Sequence, residues 1–327
     1  MFDLLGIVRA AVLNGTPLLF GTSGEILTQE SGNMNLGVEG LMFMGGAFGL
    51  AGAFAYSTIA GDAASGLVAI LVAIVCAFAA GFLGSLVFSF LTVTLKANQN
   101  VTGLALTIFG TGVGQFVGEV MRLRIGGNGT IPNALKNAFV RPVMPAFLRN
   151  IPVLGDLLFN YNLFVYVGVV MVIIMSLILN HTRMGLNLRA VGESPATADA
   201  AGISVNRYRY LATCIGGGIS ALGGMVYIMT ISGCVWNYSA LSGEGWIAVA
   251  LVIFCFWKPI NSLWGSVLFG ALLIMYLKVP LSFIPTQIYR IVPYIATIAV
   301  LILVSMKQKK ENQPPQGLGV NYFREDR

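Results

Sequence analysis

No charged residue occurs between Ala63 and Leu95. As an α-helix rising ~1.5 Å per residue, this run would reach ~50 Å, against a hydrocarbon core of ~30 Å. A run that long either tilts strongly or breaks, and Gly81 and Gly84 mark where a break is expected. Further apolar runs cover roughly 5–27, 37–57, 99–118, 162–180, 208–231, 244–257, 261–279 and 289–306, to be compared with ~20 residues per membrane-spanning helix. The run at 244–257 is short and opens on Glu244, which points to a half-buried or discontinuous helix. Across 327 residues, 56% are hydrophobic and 10% charged, where a soluble domain carries about 25% charged residues. The chain lacks the polar surface to stay in water. The expected fold is all-α and integral to the membrane, a polytopic bundle of eight to ten transmembrane helices.

Basic residues orient such a bundle. Lys96, the group Arg183, Arg189, Arg207 and Arg209, then Lys258, then Lys307, Lys309 and Lys310 fall on one side in a nine-span arrangement. The excess of positive charge in short loops assigns that side to the cytoplasm. Residues 1–306 then form one permeating domain, with a polar loop at about 181–207 inside and a long loop at about 120–161 outside. Pro132, Pro142, Pro145 and Pro152 give the outer loop structure, as a folded cap or short re-entrant pieces. Residues 307–327 are a charged cytoplasmic tail. The opening MFDLLGIVRA lacks a basic leader and a small-residue cleavage site, so it is expected to remain as the first membrane helix.

Several chemistries are excluded. No lysine follows a glycine, so no phosphate-binding loop of the Walker type exists and the chain does not hydrolyse ATP by that route. His181 stands alone at a membrane boundary and makes no metal site. Cys76, Cys214, Cys234 and Cys255 lie far apart in apolar runs and read as small core residues. No metal, cofactor or catalytic group is expected. The net charge of +6 suits an anionic inner leaflet of membrane lipid rather than nucleic acid, because no basic face interleaved with aromatics appears. An ion-coupled secondary transporter needs carboxylates near mid-membrane, and the central parts of the runs are expected to hold none.

Some polar groups do approach the apolar runs. Glu25, Glu39 and Glu119 lie near predicted helix ends, where interfacial or structural roles are expected for Glu25 and Glu119. Glu39 belongs to SGNMNLGVEG (31–40), a polar, glycine-rich lead-in to a long apolar run. Such a segment is costly against lipid unless it lines a cavity or faces protein. Alternatively, it is a capped helix start with Asn33 or Asn35 as the N-cap. Gly110, Gly114 and Gly118, and again Gly216, Ser220 and Gly224, form small-residue stripes on which other helices can pack closely.

The longest polar interruption runs from Arg183 to Arg209. Within it, Ser194 and Pro195 are a helix start, Ala196 to Ala201 mostly favour helix, and Gly202 suits a left-handed stop. A helix of two turns is too short to stand alone in water. It lies on the protein's own face or docks a soluble partner.

The block TRMGLNLRAVGESPATADAAGISVNRYRYLA resembles the cytoplasmic loop of ABC-importer permeases of the branched-chain amino acid, ribose and nucleoside group. SGNMNLGVEGLMFMGG, KANQNVTGLALTIFGTG, GEGWIAVALVIFCFWKPINSLWGSVLFG and the tail GLGVNYFREDR are similar to further blocks of the same family, in the same order. One departure is Cys255-Phe256-Trp257-Lys258, where members often read Gly-Arg-Trp-Asn. The resemblance implies a multi-pass protein of the bacterial cytoplasmic membrane, working with cytoplasmic ABC ATPase subunits, a second related permease subunit and an extracytoplasmic solute-binding lipoprotein or periplasmic protein. It implies that the helix at Ser194–Gly202 is the coupling helix, with Arg189, Gly192, Ser194, Pro195, Ala198, Ala201 and Gly202 at matching positions. Asn35, Glu39, Asn98 and Gln99 are the candidate pathway residues. Nucleosides or simple sugars are the expected solutes, with riboflavin-like compounds as the alternative.

Overall fold

A computed structural model describes residues 4–124, 131–278, 291–292, 295–299, 302 and 313–323. Thirteen α-helices are described: α1 (Leu4–Glu30), α2 (Val38–Ala60), α3 (Gly66–Ser89), α4 (Gln99–Arg124), α5 (Asn133–Val140), α6 (Ala146–Arg149), α7 (Leu163–His181), α8 (Arg183–Glu193), α9 (Pro195–Ala200), α10 (Val205–Val226), α11 (Tyr238–Leu241), α12 (Glu244–Phe254) and α13 (Pro259–Lys278). Six of the described helices are long and apolar enough to cross a membrane, and α12 and α13 are shorter apolar helices. Most of the expected span at 289–306 and the basic cluster at 307–310 lie outside the described residues.

The charge-free run does not break at Gly81 or Gly84. It forms one helix that continues from α3 through a wider turn at Phe90–Thr94. Both glycines are packing positions instead: Gly81 lies against Gly217 and Ala221, and Gly84 against Leu41 and Met44. A similar wide turn, Tyr227–Ile231, extends α10. Within the expected outer loop, the described residues 131–161 hold α5, α6 and a turn at Gly155–Phe159.

Helix α10 is the axis of the bundle, packing on α1, α2 and α3 together. Its small residues make this possible. Gly216 lies on the α1 backbone at Gly24, Ser220 donates to the Gly21 carbonyl at 3.1 Å, Gly217 faces Ser85, and Gly224 faces the Met42 backbone. On α4, Gly110 and Gly114 approach the backbone of Gly40 and Phe43, while Gly118 seats the Trp236 ring. Lipid offers no hydrophobic drive between helices, so close backbone contact of this kind supplies the association energy. The outward faces of α3, α4 and α7 expose Leu71, Val75, Ile108, Phe116, Ile174 and Leu177, as the lipid-facing side of a membrane bundle must.

Candidate functional site

Two polar features interrupt the bundle, one near its middle and one at the end where α1 finishes. The first begins where the chain leaves α1 at Glu30. Residues 31–37 turn back as an extended segment alongside α1 before α2 starts at Val38. A chain of hydrogen bonds accompanies it inward. Trp257 Nε1 donates to Gln29 Oε1 (2.7 Å), Gln29 Nε2 to Glu25 Oε1 (2.8 Å), and the Asn35 amide also donates to Glu25 Oε1 (3.3 Å). The Gly37 amide then donates to Asn35 Oδ1 at 2.8 Å. Neither asparagine caps α2, whose N-cap is Gly37. Asn35 holds a tight turn one step earlier, and Asn33 Nδ2 reaches Thr213 Oγ1 on α10 at 2.9 Å. Both asparagines are fully buried. The cavity-or-cap alternative therefore resolves towards buried polar groups packed inside the protein.

Helix α12 meets this segment from the other direction. Thr22 Oγ1 donates to the Ala248 carbonyl (3.1 Å) and Trp257 lies beside Gln29, so α12 climbs from mid-bundle to the end of α1. With 11 residues, it covers ~16 Å, about half a hydrocarbon core. Its first turn needs acceptors for amides that no helix carbonyl can reach. Glu39 supplies them: Gly243 donates to Oε1 at 2.6 Å, and Gly245 and Trp246 donate to Oε2 at 2.7 and 3.3 Å. The carboxylate also meets the positive end of the helix dipole. Glu244 is buried beside it, its Oε2 without a hydrogen-bond partner. Both carboxylates stand at helix starts, Glu39 in the first turn of α2 and Glu244 at the head of α12, so the central parts of the described runs remain free of them, and the chain reversals at 31–37 and 232–243 bring the two together. Of the interfacial or structural roles expected, Glu25 takes the structural one, buried (1% exposed) and hydrogen-bonded to Gln29 and Asn35, whereas Glu119 is exposed and pairs with Arg122 at 2.7 Å.

The second feature is α8–α9. Thr182 caps α8 by accepting from the Gly185 amide at 3.2 Å. Ser194 caps α9, accepting from the Thr197 amide at 3.4 Å with Pro195 in the first turn, and Gly202 takes a positive φ of 83° just beyond Ala201. The capped two-turn helix is present as read from sequence; α8, an amphipathic helix before it, was missed. Its spacing of Gly185, Leu188, Val191 and Gly192 on one buried face was the available signal.

The seven expected coupling residues separate into two faces. Ala198 is buried against Val191 and Val205, and Gly192 packs into the chain's own backbone. Arg189 is half-buried and lies near Glu30, while Ala201 and Gly202 are exposed together with Ala196, Thr197 and Ala200. Of the four pathway candidates, Asn35, Glu39 and Gln99 lie along the reversed segment, Gln99 Oε1 accepting from the Met34 amide at 2.7 Å. Asn98 stands apart: it is exposed, and its Oδ1 accepts from Val101 at the start of α4. Nearby, burial first and the charge of Arg209 second hold the Lys96 ammonium below the ordinary lysine value.

A bundle of apolar spans, interrupted by buried polar groups and carrying a capped helix at one end, defines a multi-pass membrane protein. The chain belongs to the family of branched-chain amino acid transport system / permease components, whose model matches residues 6–301. It is 32% identical over 318 residues to a protein of Haloferax volcanii named as the glucose ABC transporter permease TsgC13, covering 90% of each chain. It is 31% identical to the nucleoside ABC transporter permease NupC of Lactococcus lactis, over 97% of this chain and 96% of that one. With the guanosine ABC transporter permease NupQ of Bacillus subtilis it shares 33% identity, covering 90% of each. Its fold is similar to that of a solved inward-facing metal-chelate type ABC transporter, with a TM-score of 0.50, 14% identity, and coverage of 94% of this chain and 86% of that chain. The protein resides in the cytoplasmic membrane.

Proposed function

We propose that this chain is the membrane-spanning subunit of an ATP-binding-cassette importer for nucleosides, with simple sugars as the second solute class. Two permease subunits form the path, cytoplasmic ATPases power it, and an extracytoplasmic binding protein delivers the solute. The observation that carries the reading is α9: a short helix with a methyl-rich outer face, capped at both ends and joined through α8 to the core. Ala196, Thr197, Ala200, Ala201 and Gly202 form its free face and dock in a groove of the ATPase. Gly192, Ser194, Pro195 and Ala198 hold the helix in place from behind, and Arg189 braces α8. Asn35, Glu39 and Gln99 line or shape the solute path. The relatives named for nucleosides, guanosine and glucose support these solute classes over riboflavin-like compounds.

The test is uptake of labelled guanosine and glucose into vesicles holding the full complex, with and without the ATPase. ATP-dependent uptake of either is expected, and uptake that survives ATPase loss would overturn the reading. Ala201→Trp is expected to abolish ATPase co-purification while leaving the permease folded. Unchanged co-purification would remove α9 as the docking element.

A further inference from the structure

Residues 316–323 lie across the end of the bundle and touch α8, α9, α10 and the segments at Gly32 and Lys96–Gln99. The Gln316 amide donates to Glu193 Oε2 (3.2 Å), Gly317 to the Gly192 carbonyl (2.8 Å) and Gly319 to the Gly32 carbonyl (3.0 Å). Arg209 Nη1 donates to the Val320 carbonyl (3.0 Å), Asn321 Nδ2 to the Lys96 carbonyl (2.7 Å), and Tyr322 Oη to Asp199 Oδ2 (2.7 Å). Gln99, which holds the Met34 amide, also donates to Asn321 Oδ1 at 3.3 Å. Tyr322 packs on the cluster of Val191, Ala198 and Val205 behind α9.

Beneath this segment, three backbones meet at glycine. A methyl group on Gly192 would overlap the Glu30 carbonyl, and one on Gly317 would come within 2.6 Å of the Gly192 carbonyl oxygen. Gly32 holds a positive φ of 85°, and a Cβ there would lie 3.1 to 3.3 Å from Arg209, Gly317 and Gly192. The end of α8, the start of the reversed segment and the tail are therefore in direct backbone contact, with no side chains between them to yield.

We propose that residues 316–322 are a mechanical strap that fixes α8–α9 to the buried segment 31–37 and to residues 96–99, so that a displacement of α9 moves those segments with it. The inference rests on the reading of α9 as the ATPase-docking helix. Close-packed interfaces respond as units rather than by gradual deformation. A segment bonded to α8, α9, α10 and the segments at Gly32 and at Lys96–Gln99 converts a push on one into a shift of the others. Arg209, 2% exposed, is the post around which the strap is tied.

The experiment compares the full chain with a chain ending at Pro315 and with the double variant Asn321→Ala/Tyr322→Phe, each reconstituted with ATPase and binding protein. ATPase co-purification is expected to persist in both, because the outer face of α9 is untouched. Solute moved per ATP hydrolysed is expected to fall at least tenfold on truncation and several-fold in the double variant. Loss of co-purification in the variants would overturn the proposal by making the tail a docking surface, and a ratio within twofold of the full chain in the double variant would overturn it directly. Amide exchange on the permease alone separates this from failure of the ATPase reading. Removing the strap is expected to speed exchange in 31–37 and 192–202 together, and unchanged exchange there rejects the strap whatever powers transport. Should the truncated chain not fold, the double variant, which removes side-chain bonds alone, decides both measurements.

Discussion

Glu39 shows how one side chain can fix the geometry of a membrane interior. Three amides converge on its carboxylate across more than 200 residues of sequence. Hydrogen bonds to a charged partner contribute about 1.5–3 kcal/mol each, and stranding a buried donor costs a similar amount. Glu39→Gln keeps the size but places an amide NH2 towards donors. It is expected to lower the thermal midpoint of the purified protein by several degrees and to reduce transport at least tenfold. Glu119→Gln is the control: an exposed pair contributes ~1 kcal/mol or less, so midpoint and uptake should stay near wild type. A Glu39→Gln protein as stable as the Glu119→Gln one would show that the three amides do not depend on the carboxylate. Sequence pointed to Glu39 as a charged residue beside an apolar run. Its partners were not legible there, because backbone amides carry no sequence signature and the pairing depends on two chain reversals far apart.

At the scale of elements, α4 offers an internal comparison. Gly110 and Gly112 are two residues apart on one helix, yet a Cβ at Gly110 would lie 2.6 Å from the Gly40 backbone, whereas Gly112 has open space. Gly110→Ala forces α2 and α4 apart, at about 1–3 kcal/mol for an overpacked contact. Gly112→Ala removes a poor helix former and is expected to be neutral or to stabilise by up to ~1 kcal/mol. Thermal unfolding in detergent would show the difference, and equal midpoints would mean that the stripe is not a tight interface. The stripe itself was readable, since four-residue spacing places glycines on one helix face. The neighbour was not: Gly118 shares the spacing but seats the Trp236 ring instead of a helix. Likewise, Ser194 and Pro195 announced α9 locally, whereas the inward turn of Ala198 depends on α8 and on Val205.

For the whole molecule, the distribution of positive charge makes a claim about sidedness. Cysteines introduced at Ala201 and at Val143, both exposed positions at opposite ends of the bundle, are expected to react with an impermeant thiol reagent from opposite sides. Ala201→Cys should label in inside-out vesicles and Val143→Cys in right-side-out ones; the reverse pattern would invert the topology. The native thiols at Cys214, Cys234 and Cys255 are buried and should stay silent. Composition alone gave the class of fold, because a chain this poor in charge cannot be solvated. The half-length α12 bears on how the protein is made. A segment of 11 residues with a carboxylate at its head is a poor substrate for insertion by itself. The tight turn at Cys255–Lys258 joins it to α13, so the two are expected to enter the bilayer as a hairpin. Its head is held by Glu39, synthesised some two hundred residues earlier. The expected order of assembly at this end of the bundle is therefore capture of a late hairpin on an early template, and Glu39→Gln should leave more of α12 uninserted in a membrane-insertion assay.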